Sequence, residues 1–362
     1  MSFPTRYFED IKVVLLNDAG VEQGDLATWA SPQITASTTG PDQVMVRFPK
    51  LYYREFYDSN GYLNGIRIDK VPFSGSILHP KFSWGNGRDY IYVGAYEAST
   101  VSDMLASVSE QPVTTSVTMA AFESRANARG DGWHSYDFWT QHLIELLFYV
   151  YYGTRDSQAV LPGYTQASAW DYAYTRQTGR SNILTTANGS VEAQLGVGED
   201  DNDLSAVLSA GDKIANRFCF IENIFGHIWE FLHGCAVDGR IGKQKTMWAT
   251  PDYRLFSSTA ATVLADYENL NIDLLSVTTT SYIKALGKHL LPVAGGASSS
   301  TYYCALMWSY LTDAANLDYL RSVRAGGRLH HGAIAGLAAR VSSHSLTDSN
   351  ASVGSRLCYE SL

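Results

Sequence analysis

The side chains with the most chemical potential gather in the C-terminal part of the chain. The stretch "AGGRLHHGAIAGLAAR" (325–340) sets Arg328, His330 and His331 behind two glycines. Tyr319, Arg321, Arg324, Ile334, Arg340, Ser342, Ser343 and His344 lie close by in sequence. Arginine and tyrosine are the usual energetic anchors of binding surfaces. The small residues between them are expected to act as scaffold, leaving the larger side chains to project into solvent. The same residues fit catalysis and metal binding poorly. His330 and His331 are adjacent, and in a strand adjacent side chains point to opposite faces. Cys219, Cys235, Cys304 and Cys358 form no C-x-x-C pair and no zinc spacing with histidine, so they read as free, buried thiols. "HIWEFLH" is not H-E-x-x-H, and there is no G-x-S-x-G elbow, although a Ser-His-Asp arrangement assembled in space stays open. The acidic run "VGEDDNDLS" (197–205) lacks the glycine and distal glutamate of an EF-hand and reads as a solvated turn. No metal and no cofactor are expected.

Two helices and a set of short strands must hold these residues. "KVVLL", "QVMVRF" and "LYYREFY" are β-prone runs separated by turn-forming residues, and "YIYVGAYEAS" is another. "SVTMAAFESRANARG" reads as a helix with Ser/Thr caps that ends at Gly130. "DFWTQHLIELLFYVYYG" reads as a second helix, with Asp137 as N-cap and Gly153 just past its end. Its spacing puts Phe138, His142, Glu145 and Tyr149 on one face and Leu143, Leu146, Leu147 and Val150 on the apolar side. No sustained helical period follows residue 155. The fold class is therefore α+β, with two helices and a loop-rich antiparallel β core. Residues 1–80 read as a small β-rich region for assembly or attachment, and residues 81–362 as the main domain.

Composition narrows the function classes. The chain of 362 residues is 45% apolar, enough for a sizeable core, yet only 17% charged. Its 23 tyrosines offer large contact area at low entropy cost. A net charge of −9 argues against binding nucleic acid phosphates. No run of apolar residues is long enough to span a membrane, and "MSFPTRYFEDIKVVLL" does not read as a signal peptide.

"RFCFIENIFGHIWEFLHG" (217–234) resembles the signature Ile-Glu-Asn-x-x-Gly-Asn-x-Trp-Glu-Trp of the C-type lectin fold, in the branch shared with formylglycine-generating enzymes. Glu222, Asn223, Gly226 and Trp229 match; His227 stands where Asn is usual and Phe231 where a second Trp is usual. Gly326, Gly327, Gly354 and Arg356 match the C-terminal Gly-Gly and Gly-x-Arg-Leu pattern of the same branch, while Ala325 and Leu329 depart from it. These matches imply structural roles: Gly226 for a tight approach, Trp229 in the core, Glu222 or Asn223 for buried backbone groups. More closely, the chain resembles the variable proteins of diversity-generating retroelements, over about residues 80–357. Their cassettes are randomised at adenines, mostly in AAC codons, which cannot yield Lys, Gln, Glu, Met or Trp. From Ser309 to Tyr359 none of these five types occurs, where roughly seven would be expected from the rest of the chain.

The resemblance implies a variable region at about 317–357 and a protein or glycan receptor on a cell surface as partner. It implies display on a phage tail or fibre, or on a cell surface, and assembly as a homo-oligomer. The alternatives are a copper oxidase like the formylglycine-generating enzymes, whose cysteine pair this chain lacks near Gly327, and a calcium-independent carbohydrate-binding surface protein.

Overall fold

The computed structural model describes residues 5–34, 41–85, 87–165, 177–192, 214–238, 246–272, 274–275, 277–309 and 320–361. The acidic run 197–205 and Tyr319 lie outside these residues. The class is α+β, dominated by strands.

Apolar, β-branched runs form the first sheet. Its order is Trp133–Ser135, Leu357–Tyr359, Tyr90–Gly94, Gln43–Pro49, Lys12–Leu16, Glu22–Thr28, antiparallel throughout. Val13, Val14, Val44, Met45, Val46 and Val93 are all fully buried in it. The first 80 residues are thus not a separate region, as the sequence suggested. Three of their strands belong to a sheet whose other members come from residues 90–94, 133–135 and 357–359, while Tyr52–Tyr57, Leu63–Asp69 and Ile77–Leu78 form a small sheet of their own. A single apolar core runs from Tyr7 to Tyr359.

The second sheet has nine strands. Its centre is the Trp229–Asp238 strand, buried at all ten positions. On one side lies Met247–Ala249. On the other, Leu320–Gly326, Gly336–Val341 and Leu306–Ser309 follow in turn. The core is mixed rather than antiparallel. Val353–Gly354 runs parallel to the start of the Trp229 strand, and Leu306–Ser309 runs parallel to Gly336–Val341. Parallel pairs require long connections, which alternation within one strand does not reveal.

Both expected helices are present, and their caps explain their ends. Met119–Asn127 starts at Thr118, whose hydroxyl accepts from Ala121 N at 3.2 Å. Phe138–Tyr152 starts at Asp137, whose Oδ1 accepts from Trp139 N and Thr140 N at 2.9 and 3.1 Å. It stops at Gly153, where φ is 62°, a left-handed conformation that glycine adopts without a Cβ penalty. Short helices at Thr5–Phe8, Pro80–Ser83, Ser157–Val160 and Ala260–Asp266 bring the described helices to six, not two. Pieces of four to seven residues are too short to show a helical period.

The long helix also departs from its expected two-faced character. It packs against the Trp229–Asp238 and Leu63–Asp69 strands. Every residue from Phe138 to Phe148 is buried. Its polar residues are therefore paired internally. Gln141 donates to Glu145 at 2.8 Å, His142 lies 3.2 Å from Glu55, and Glu145 receives Arg340. Among the described residues no helix is long and apolar enough to cross a membrane.

Candidate binding site

The C-terminal region is built as two neighbouring strands joined by a pinned loop. Leu320–Gly326 pairs antiparallel with the Trp229 strand, aligning Phe231 with Arg324 and Glu230 with Ala325. Gly326 and Gly327 have φ of 93° and 87°. A Cβ on Gly327 would come within 2.8 Å of Ala335 Cα, so the close return of the chain needs glycine there. The loop is fixed from inside: Leu329 is 1% exposed and its N–H donates to His227 O at 3.0 Å. Gln158 Nε2 donates to Gly332 O and Ala335 O at 2.8 and 2.7 Å. The chain then re-enters the sheet as Gly336–Val341.

This arrangement sorts the candidate residues. Arg324, Arg328, His331, Ile334 and His344 line one pocket of 280 Å³, together with Trp229. Leu306 and Val341 complete its apolar wall, and Asn350 and Ser352 its polar rim. Arg328 Nε donates to His331 Nε2 at 3.1 Å, and its Nη1 donates to Ser352 Oγ at 2.9 Å. Ser352 in turn donates to Asn350 Oδ1 at 2.7 Å. Trp229 is 5% exposed and meets the His331 ring edge-on at 5.4 Å between centroids. Half-buried Arg321, His330 and Ser343 stand beside the pocket and do not line it.

Three residues expected to reach solvent do not. Arg340 is 2% exposed and its guanidinium pairs with Glu145 of the long helix. It also donates to Leu337 O and Ala339 O, both at 3.0 Å. Ser342 is fully buried. Arg324 is 2% exposed, although it still borders the pocket; it pairs with Asp348 and lies 5.0 Å over the Phe231 ring. The cause is shared: both strands are interior to the sheet, so their side chains meet packed layers on either face. His330 and His331 correct a second expectation. They sit in the loop rather than a strand, and their rings meet edge-on at 5.0 Å between centroids.

The pocket holds two guanidinium groups, one of them paired with Asp348, and its imidazoles are held toward their neutral forms. Burial, then the neighbouring Arg328 and His330, push His331 down to about 3. Burial and then Arg328 lower His330. Burial, then Arg324, lower His344, with Arg321 and Arg328 adding to the effect against Asp348.

The signature residues hold the frame beneath. Glu222 accepts from Gly179 N and Ser181 N at 2.8 and 2.5 Å. Asn223 donates to Glu97 at 3.0 Å, and its carbonyl accepts from Arg356 at 2.8 Å. Arg356 also meets Glu230 at 2.7 Å, both side chains being buried. Gly226 has φ of 82°, and a Cβ there would meet Tyr164 O at 2.4 Å. Gly354 is closed in by Ile228, whose Cδ1 would lie 2.4 Å from an added Cβ. Trp229 was read from sequence as core alone. Its second role, as pocket wall, depends on Leu306, Val341 and Ser352 arriving from distant segments, and no local signal announces that.

Other reactive clusters are closed by their own contacts. His134, Asp137 and Cys358 bring ligand atoms within 4.8 Å of one another. Lys81 Nζ already stands 3.0 Å from Asp137 and pairs with Glu360, so an ammonium supplies the cation there. Ser135, His233 and Glu123 have the composition of a hydrolytic triad. Ser135 is 1% exposed, however, and its hydroxyl is engaged by both Glu123 (2.7 Å) and His233 (2.9 Å). That leaves no approach for a substrate carbonyl. A further cavity of 310 Å³ near Asp18, Gln43, Met104 and Arg129 lies away from the C-terminal strands, with Arg129 paired to Asp18 at 2.6 Å. Comparison with protein-family models and with curated proteins gives no match.

Proposed function

We propose that this chain is a non-catalytic recognition protein with a C-type-lectin-like fold, whose 317–357 region is diversified by a retroelement to change what it binds. What carries the reading is one arrangement: five of the candidate contact side chains of that region converge on a single pocket, while Gly326, Gly327, Ala325, Ala335, Ala338, Ala339 and Arg340 form a buried frame below. Such a division lets contact residues change without touching the core. The absence of five residue types between Ser309 and Tyr359 supports diversification. The partner in this proposal is a receptor on a cell surface, and the setting is a phage tail or fibre, with several copies displayed together. Multivalency of that kind strengthens a weak single site by about 10²–10⁴-fold.

The copper-oxidase alternative is less well supported. Cys304 precedes a strand of the nine-stranded sheet and Cys358 lies in the six-stranded one. Burial pushes both thiols up, Cys304 to about 12, away from the thiolate a metal needs.

Two measurements test the proposal. The DNA flanking the gene should hold a reverse transcriptase and a near-copy of the 317–357 coding segment that differs at adenines. Replacing Arg328, His331 and Ile334 together by alanine should abolish binding to target cells while the protein stays folded. Unchanged cell binding by that variant would exclude the pocket as the recognition site.

A further inference from the structure

Resting on the pocket as the recognition site, we propose that its ligand in this chain is an acidic saccharide, held by a carboxylate or sulfate group against Arg324 and Arg328. The chain as a whole carries a net charge of −9. Yet the pocket is lined by two arginines and two histidines, and among the described residues no acidic side chain lines it. Asp348, the one carboxylate paired with Arg324, is not among the lining residues. A positive concavity on a negative protein concentrates field where water is partly excluded. His330, His331 and His344 are pushed toward their neutral forms by burial first and then by a neighbouring arginine.

Two buried donors point to the same chemistry. Arg324 uses its Nη2 on Asp348, and its buried Nε donates to no acceptor among the described residues. His331 accepts from Arg328 at Nε2, which places its own proton on Nδ1. That nitrogen too is buried and has no acceptor among the described residues. Both nitrogens belong to pocket-lining side chains and are left for an acceptor that the pocket would have to supply. An oxyanion supplies the strongest kind of acceptor for guanidinium groups.

Size and walls favour a sugar over a peptide. The volume, 280 Å³, lies at the small end of ligand pockets, which run from roughly 300 to 1,000 Å³. It suits one ring-sized unit. Leu306, Ile334 and Val341 give that unit an apolar surface to rest on, and the exposed Asn350 offers an amide at the rim. An extended peptide adds to an open strand edge. Both strands that carry the pocket are already paired on each side.

The test titrates the full chain with glucuronate and with a sulfated galactose, using glucose, galactose and a tetraglutamate peptide as controls, followed by ligand-observed NMR. Both acidic sugars should bind in the millimolar range or tighter, with the neutral sugars and the peptide at least about tenfold weaker. Arg328→Gln should weaken the acidic sugars by about tenfold, as expected for loss of a charge-assisted contact. Because Arg328 also holds Ser352, Ile334→Glu provides a second variant that leaves those hydrogen bonds in place. It plants a carboxylate at the pocket wall and should abolish acidic-sugar binding with the unfolding temperature retained. Equal binding of glucose and glucuronate, preference for the peptide, or no acidic sugar bound at millimolar concentration would each overturn the inference. Those results leave the recognition reading intact, since it stands or falls on the cell-binding variants.

Discussion

Arg340 shows how one side chain can belong to the buried frame while its neighbours Val341 and His344 line the pocket. Its buried pair with Glu145 joins the C-terminal region to the long helix. Removing one partner of such a pair strands the other charge, at a cost of about 3–5 kcal/mol. Arg340→Met should therefore lower stability in urea by about that amount, and Arg340→Met with Glu145→Leu should recover most of the loss. Trp229→Ala should cost about 3–5 kcal/mol as well, because the indole is packed as well as pocket-lining.

His331 and His289 make a prediction about pH. Burial first, and then neighbouring cations, hold both at about 3, below the ordinary histidine value. A depressed folded-state pKa means stability that is present above about pH 6.5 and lost as pH falls toward 3. Burial raises Glu230, and that effect runs the other way, its stabilisation fading as pH rises. Comparison with the double variant His289→Gln, His331→Gln isolates the imidazoles. Between pH 6.5 and 4.5 the wild type should lose stability relative to that variant, as read by denaturant midpoints. A constant difference would mean that the imidazoles titrate normally. At this scale the sequence supplied the residue types of the pocket. It did not reveal which of them turn inward, because Arg340 is placed by pairing with Met307 and Ala325 on two other strands.

At the scale of elements, local signals were legible and long-range ones were not. Asp137 and Gly153 marked the ends of the long helix because capping acts within one turn. The burial of that helix on every side was hidden, since it depends on strands at Leu63–Asp69 and Trp229–Asp238. Asp137 has two roles, N-cap and partner of the buried Lys81. Its replacement by alanine should cost more than the roughly 0.5–2 kcal/mol of a cap alone. Asp137→Asn, which keeps capping ability but removes the charge, should recover only the cap's share. Thermal unfolding of the three proteins separates the two contributions. Gly153→Ala, which has open space for its Cβ but keeps φ at 62°, should cost about 1–2 kcal/mol from backbone strain alone.

The molecule as a whole is tied together by its six-stranded sheet. The class was legible from short β-prone runs followed by two helical ones. The boundary near residue 80 was not, because a sheet recruits strands without regard to their separation in sequence. Deleting residues 1–80 should therefore remove three of six strands and leave a chain with no cooperative unfolding transition. A soluble, folded fragment from residue 81 onward would show that the sheet tolerates their loss. The same sheet seats Leu357–Tyr359 between Trp133–Ser135 and Tyr90–Gly94, downstream of every pocket-lining residue. On the ribosome, the nascent chain cannot zip this sheet shut until translation has passed the pocket-lining residues in frame. Any frameshift or stop codon before Leu357 therefore forfeits the closing strand.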